Sequence, residues 1–366
     1  MRRRPKRHAR TLAMALLATL AALACQRPAP PIVATRAASI PDVNTPDSFM
    51  DAVAIAPDGS RVATGERGGV IRVWAVEGPR EGIRVGAYRQ AVTDLAFSPD
   101  GVLLATIGRA RESMVRLWQD DRMGGWKEVA AIPAERGLAL RFDAAGALLG
   151  VAGETNVMIL DVATRRVAAS LPTPHAEALT AFDLAADGRR AITAGRDGGV
   201  TVWEVAGAAP IRRLSVRASR RKHGPPRGME ADTAWATALA LTAEGKRAAA
   251  ATIEGSIFVW DLDTGQELLA DVDNDATGPP HGALRFTADG RLLAPTGTRA
   301  GMRLIDVGQK RSQVVAMAGT SGTKAFHAVS VTDDATRYAV LTSVLGDRQL
   351  AYTVDVWRFA PPAPPR

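Results

Sequence analysis

The chain has one cysteine, Cys25, so no intramolecular disulfide framework can hold it together. The apolar run before it, "TLAMALLATLAALA", is 14 residues long, short of the ~20 that a membrane-spanning helix needs. Net charge is also scarce once the first residues are set aside. Met1 to Ala24 carry six of the 46 basic residues and none of the 38 acids, so 40 face 38 and the formal +8 falls to +2. A general nucleic-acid role loses its main support, and no nucleic-acid partner is expected. Four histidines lie outside that leader, His175, His223, His281 and His327, at no spacing that suggests a metal cluster. The glycine-rich "GERGG" and "GRDGG" precede strand-like runs instead of helices, and "GTSGTK" is not a Walker motif, so no phosphate cradle is indicated. No catalytic residue and no cofactor are expected.

What the sequence does have is repetition. Aligned on tryptophan, seven windows recur: "VIRVWAV" ending at Val76, "MVRLWQD" at Asp120, "NVMILDV" at Val162, "GVTVWEV" at Val205, "SIFVWDL" at Leu262, "GMRLIDV" at Val307 and "TVDVWRF" at Phe359. Five keep the tryptophan, while Leu160 and Ile305 replace it in the other two. Positions one and three before it are apolar throughout, a period of two that marks a half-buried strand. Upstream of each window lies a second series, such as "TDLAFSPDG" and "TAFDLAADG", whose closing acid and glycine signal a tight turn. The marker glycines Gly59, Gly101, Gly146, Gly188, Gly245 and Gly290, with Ala335 last, lie 42 to 45 residues apart except for one gap of 57. Four short antiparallel strands per unit fit that length.

These units resemble the WD40-repeat family from Phe49 to Phe359, which implies an all-β fold: a seven-bladed β-propeller of four-stranded antiparallel blades. One blade cannot bury both faces, whereas a ring buries each between neighbours. The resemblance implies inter-blade packing for Trp74, Trp118, Trp203, Trp260 and Trp357. It also implies a hydrogen-bonded relay of Ser/Thr, His and Asp to the indole, matched in full by one unit: His175, Thr193, Asp197 and Trp203. The alternative is a nucleophilic triad of Thr193, His175 and Asp197. The other units lack most relay residues, so the resemblance is to a degenerate bacterial member.

After Trp357 only "RFAPPAPPR" remains, too short and proline-rich for another strand, so the last blade lacks its outer strand. "TRAASIP" near the start is similar to "RVAASLP", the outer strand of the third unit. Val33 to Ile40 is therefore expected to pair with "TVDVW" and close the ring.

Six basic residues, the 14-residue apolar run and "ALAC" resemble a bacterial lipoprotein signal peptide, which implies that Cys25 is lipidated and tethers the protein to a cell-envelope membrane. Plain secretion and an uncleaved anchor are the alternatives. The expected organisation is 1–24 signal peptide, 25–31 lipidated cysteine and spacer, 32–359 monomeric propeller and 360–366 proline-rich tail. The 57-residue gap holds "RASRRKHGPPR", in which Arg217, Arg220, Arg221, Lys222 and Arg227 offer a charge cluster for an anionic partner. The last unit spends 22 residues from Ala335 to Trp357, so a long turn between its second and third strands is expected on the same face. Asp271, Asp273 and Asp275 have the alternate spacing of a calcium loop, but Ala276 and Gly282 stand where that loop needs glycine and glutamate, and a solvated connection is the expected reading. The function expected is a membrane-tethered, non-catalytic protein-interaction scaffold of unknown partner. An enzyme or small-ligand propeller using the channel mouth is the alternative.

Overall fold

The computed structural model describes residues 33–40, 50–78, 82–109, 113–217, 234–271, 284–295, 302–317, 325–332, 336–345 and 350–359, which form strands and turns with no helix. The chain enters as β1 (Val33–Ile40). Blade 1 follows as β2 (Met50–Ile55), β3 (Arg61–Glu66), β4 (Val70–Ala75) and β5 (Ile83–Ala87). Blade 2 is β6 (Val92–Phe97), β7 (Leu103–Gly108), β8 (Ser113–Asp120) and β9 (Trp126–Ala134), and blade 3 is β10 (Ala139–Phe142), β11 (Leu148–Ala152), β12 (Asn156–Asp161) and β13 (Arg166–Pro172). Blade 4 is β14 (Leu179–Leu184), β15 (Arg190–Gly195), β16 (Gly199–Glu204) and β17 (Ala209–Ser215). Blade 5 is β18 (Ala236–Leu241), β19 (Arg247–Thr252), β20 (Ile257–Asp261) and β21 (Glu267–Asp271), and blade 6 is β22 (Arg285–Phe286), β23 (Leu292–Pro295), β24 (Met302–Asp306) and β25 (Arg311–Met317). Blade 7 is β26 (Ala325–Val331), β27 (Arg337–Leu345) and β28 (Leu350–Phe359), completed by β1. The protein is thus an all-β propeller of seven four-stranded antiparallel blades.

The sequence explains the hairpins. All six marker glycines have φ between +62° and +81°, a region that side-chain-bearing residues avoid. Along β8 burial alternates from Ser113 to Leu117, whereas β15, a middle strand covered on both faces, is buried from Ala191 to Gly195.

The core lies in the seams. Seven apolar clusters occur among the described residues, and each draws on two neighbouring blades. Each tryptophan packs back onto the blade before its own. Trp74 joins blade 7 to blade 1, Trp118 joins 1 to 2, Trp203 joins 3 to 4, Trp260 joins 4 to 5 and Trp357 joins 6 to 7. Leu160 and Ile305 fill the corresponding places in the other two seams.

Polar links reinforce three seams at the inner strands, whose exposed N–H edges face the channel. Ile55 N–H donates to Ser330 Oγ at 3.1 Å, Leu140 N–H to Asp94 Oδ2 at 2.7 Å and Leu241 N–H to Asp183 Oδ2 at 2.8 Å. A second device follows the pattern Gly-x-Arg. Arg61 reaches from blade 1 to the Gly101 carbonyl of blade 2 at 2.8 Å, and Arg190 from blade 4 to the Gly245 carbonyl of blade 5 at 2.8 Å.

Closure is by β1, as the sequence leads one to expect. It pairs antiparallel with β28, from Ala34 opposite Phe359 to Ile40 opposite Val354. It also makes a short parallel bridge to β25, Val33 opposite Ala316, which joins blades 6 and 7 into one eight-stranded sheet. The last hairpin differs from expectation. Its extra residues lengthen the strands, with Val344 opposite Ala351 and Leu345 opposite Leu350, and do not enlarge a turn. The β-branched and aromatic residues of "VLTSVL" and "LAYTVDV", with no glycine or proline among them, let the ladder continue where a turn sequence would have stopped it.

Candidate functional site

The relay residues meet. Trp203 Nε1–H donates to Thr193 Oγ1 at 3.0 Å, His175 Nε2 lies 3.0 Å from the same oxygen, and His175 Nδ1 lies 3.2 Å from Asp197 Oδ1. A carboxylate only accepts, so Nδ1 carries the proton, and a neutral ring then accepts the Thr193 hydroxyl at Nε2. One unbroken donor direction runs from indole to carboxylate. Burial pushes the Asp197 carboxyl up, but the N–H groups of Gly199 and Ala176 and the His175 ring outweigh it and hold the group below its ordinary value. Thr193 is fully buried and its oxygen is spent between two rings. A substrate carbonyl has no approach to it, so the geometry serves packing and not nucleophilic attack.

Two shorter versions exist that the repeat pattern did not single out. Trp74 donates to Thr64 and Trp118 to Thr106, each at 2.9 Å. Their signal is the residue two places beyond the one opposite the tryptophan on the second strand. Blades 5 and 7 have Ala250 and Val340 there. Trp260 instead stacks on Phe258 with centroids 5.8 Å apart, and Trp357 on Tyr338 at 6.4 Å. Trp357 Nε1 is buried with no hydrogen-bond partner among the described residues.

One end of the channel opens as a wide vestibule of about 1220 Å³ over blades 1 to 5. It is lined by turns between second and third strands, which bring Arg67, Arg109, Glu154 and Arg196, and by outer-to-inner connections, which bring Arg136, Glu177 and Trp235. Four arginines thus face two glutamates. Arg136 lies 3.7 Å from Glu154, and the Arg196 guanidinium sits 5.5 Å above the Trp235 ring. "GERGG" and "GRDGG" are turns, as their sequence suggests, and they supply Arg67 and Arg196, two of the four arginines of this face.

Of the expected basic cluster only Arg217 is described. Arg220, Arg221, Lys222 and Arg227 lie outside the described residues, as do Cys25, Asp273 and Asp275. Arg217, which follows β17 of blade 4, is committed to blade 5. Its guanidinium makes a two-pronged pair with Glu267 at 2.6 and 2.8 Å and sits 5.0 Å over the Phe258 ring, so its charge is already matched. Asp271 ends β21 opposite Ile257. Among the described residues no group of three His, Cys, Asp or Glu could hold a metal ion. The two described ends that flank residues 218–233 lie on the vestibule side: Val216 N–H bonds to the Gly198 carbonyl of the β15–β16 turn, and Trp235 lines the cavity.

Asp94 contributes a pH response. Burial pushes its carboxyl up to about 6, against the Leu140 and Leu95 N–H groups and the Arg141 charge. The folded protein therefore holds a proton that the unfolded chain releases above its ordinary value. This stability is full below about pH 4 and is lost as pH climbs through 6. Asp94 is only half-buried, so the expected loss against an Asp94→Asn variant is ~1–3 kcal/mol between pH 4 and 7. Parallel pH–stability curves for the two proteins would exclude it.

Sequence comparison agrees with the architecture. Residues 45–75 and 83–119 match the family described as WD domain, G-beta repeat. The chain is 32% identical over 101 residues to Pre-mRNA-processing factor 19 homolog 2 of Arabidopsis thaliana, covering 28% of this chain and 18% of that protein. It is 28% identical over 165 residues to Transducin beta-like protein 3 of Bos taurus, covering 44% of this chain and 20% of that one. The aligned segments thus span about a fifth of those relatives. Blades 1 and 2 of this seven-bladed ring are similar to WD40 repeats, the family that the recurring tryptophan strands resemble.

Proposed function

We propose that this protein is a non-catalytic interaction platform, tethered to a bacterial envelope membrane through Cys25, that presents its arginine-lined face to an acidic protein partner. The vestibule carries this reading. It is broad, open and net positive, and it stands on turns held by a rigid ring, where long connections serve recognition. WD40 propellers, to which blades 1 and 2 are similar, generally bind protein partners.

The tether rests on the leader: six basic residues, a 14-residue apolar run and "ALAC" ending at Cys25.

Two variants test the two halves of this proposal. Arg109→Glu with Arg196→Glu alters exposed side chains, so folding should survive while crosslinked recovery of the partner falls at least ~10-fold, most steeply at low salt. Recovery of the same partners with unchanged salt dependence would reject the vestibule. Cys25→Ser should move the protein from the membrane fraction to the soluble one, and an unchanged fraction would reject the lipid tether.

A further inference from the structure

We propose that the opposite mouth of the channel is a separate site for a small oxyanion, a carboxylate or phosphate group gripped between Arg141 of blade 3 and Arg285 of blade 6. A cavity of about 320 Å³ lies there, and Arg141, Asp183, Thr242, Glu244, Arg285 and Thr287 supply its polar lining. That volume suits a small molecule and excludes a folded partner.

The charge arrangement is what demands a ligand. Asp183 is buried, and its Oδ2 is already taken by Leu241 N–H at 2.8 Å. Its Oδ1 accepts from Arg141 Nε at 2.8 Å and from Arg285 Nη1 only at 3.4 Å. One carboxylate thus serves two guanidiniums, and Arg141 holds the better contact. Asp94, the next acid along the channel, gives its oxygens to Leu140 and Leu95 N–H. Glu244 is exposed at the rim.

Arg285 is therefore the under-matched cation. Only 8% of it is exposed, its other contact is the Leu284 carbonyl at 3.4 Å, and its Nε has no partner among the described residues. Taking a guanidinium out of water is costly unless an anion with good geometry compensates it. An oxyanion in the adjoining cavity would supply that compensation, since carboxylates and phosphates accept paired N–H bonds from the guanidinium fork.

The test measures melting of the full-length protein against inorganic phosphate and, separately, succinate, with ionic strength held constant by sodium chloride. A saturable rise of about 2–4 °C is expected with at least one anion, and which one raises it distinguishes phosphate from carboxylate. Arg285→Met should abolish the rise. Ala288→Glu, on the exposed turn that lines the same cavity, keeps the test decisive should Arg285→Met not fold, because its carboxylate would compete for the arginines and suppress the rise. No saturable shift with either anion, or an equal shift in the Ala288→Glu protein, overturns the site.

Discussion

Deleting Val33 to Ile40 destabilises the propeller sharply, although the deletion removes a single edge strand. β1 covers the outer edge of β28 from Phe359 to Val354 and bridges to β25. Without it the outer edges of β28 and β25 are left unpaired, the first of them in the one blade that has no other fourth strand. Two seams lose side chains as well, since Ala34 belongs to the core between blades 6 and 7 and Ile40 to the core between blades 7 and 1. A loss of at least about 4 kcal/mol is expected, visible as insolubility or a melting midpoint lowered by several degrees. A synthetic peptide of the β1 sequence should restore part of it by adding the strand in trans. A soluble deletion that melts with the intact protein would refute closure by β1.

Thr193→Val is expected to be the most damaging single conservative change, costing about 2–4 kcal/mol. It strands two buried groups at once, the Trp203 indole N–H and the acceptor nitrogen of His175. Trp203→Phe should cost less, about 1–3 kcal/mol, because only the Thr193 oxygen loses a partner. Trp357→Phe is the internal control. That indole is equally buried but has no hydrogen bond to lose among the described residues, so the same reduction in volume comes with relief of an orphaned donor. Denaturant midpoints should rank Thr193→Val below Trp203→Phe, with Trp357→Phe the mildest. Equal effects of the two tryptophan changes would show that packing alone is being measured.

The repeat, its strand period and the closing segment were legible because each is written locally. An acid–glycine pair fixes a turn wherever it stands, and the likeness of "TRAASIP" to "RVAASLP" needed no contact map. The vestibule was not legible in that way. Arg67, Arg109 and Arg196 sit in separate turns, and only ring closure turns them toward one opening. The conspicuous run after Arg217 drew attention by its density, whereas Arg217 itself is neutralised by Glu267, fifty positions on. The seam acceptors Asp94 and Asp183 were missed for a similar reason. Their partners are backbone N–H groups of the next blade, and the backbone leaves no mark in a pattern of side chains. The lengthened β27–β28 hairpin shows the limit of counting residues, since an excess can extend a ladder as well as a loop.

The pairing of Ala34 with Phe359 also sets the order in which the molecule can be completed. The first strand made must wait for the last. Closing a loop of that length costs ~3 kcal/mol more in chain entropy than closing a ten-residue hairpin, and contacts so distant in sequence slow folding. Seams between consecutive blades can form as each blade emerges. The seam between blades 7 and 1, which buries Met50, Trp74 and Val354 together, forms only at the end. A chain stopped before β28 would therefore carry two open apolar blade faces, one at each end of an unclosed arc. Damage to the final strand would leave blade 1 as exposed as damage to the first.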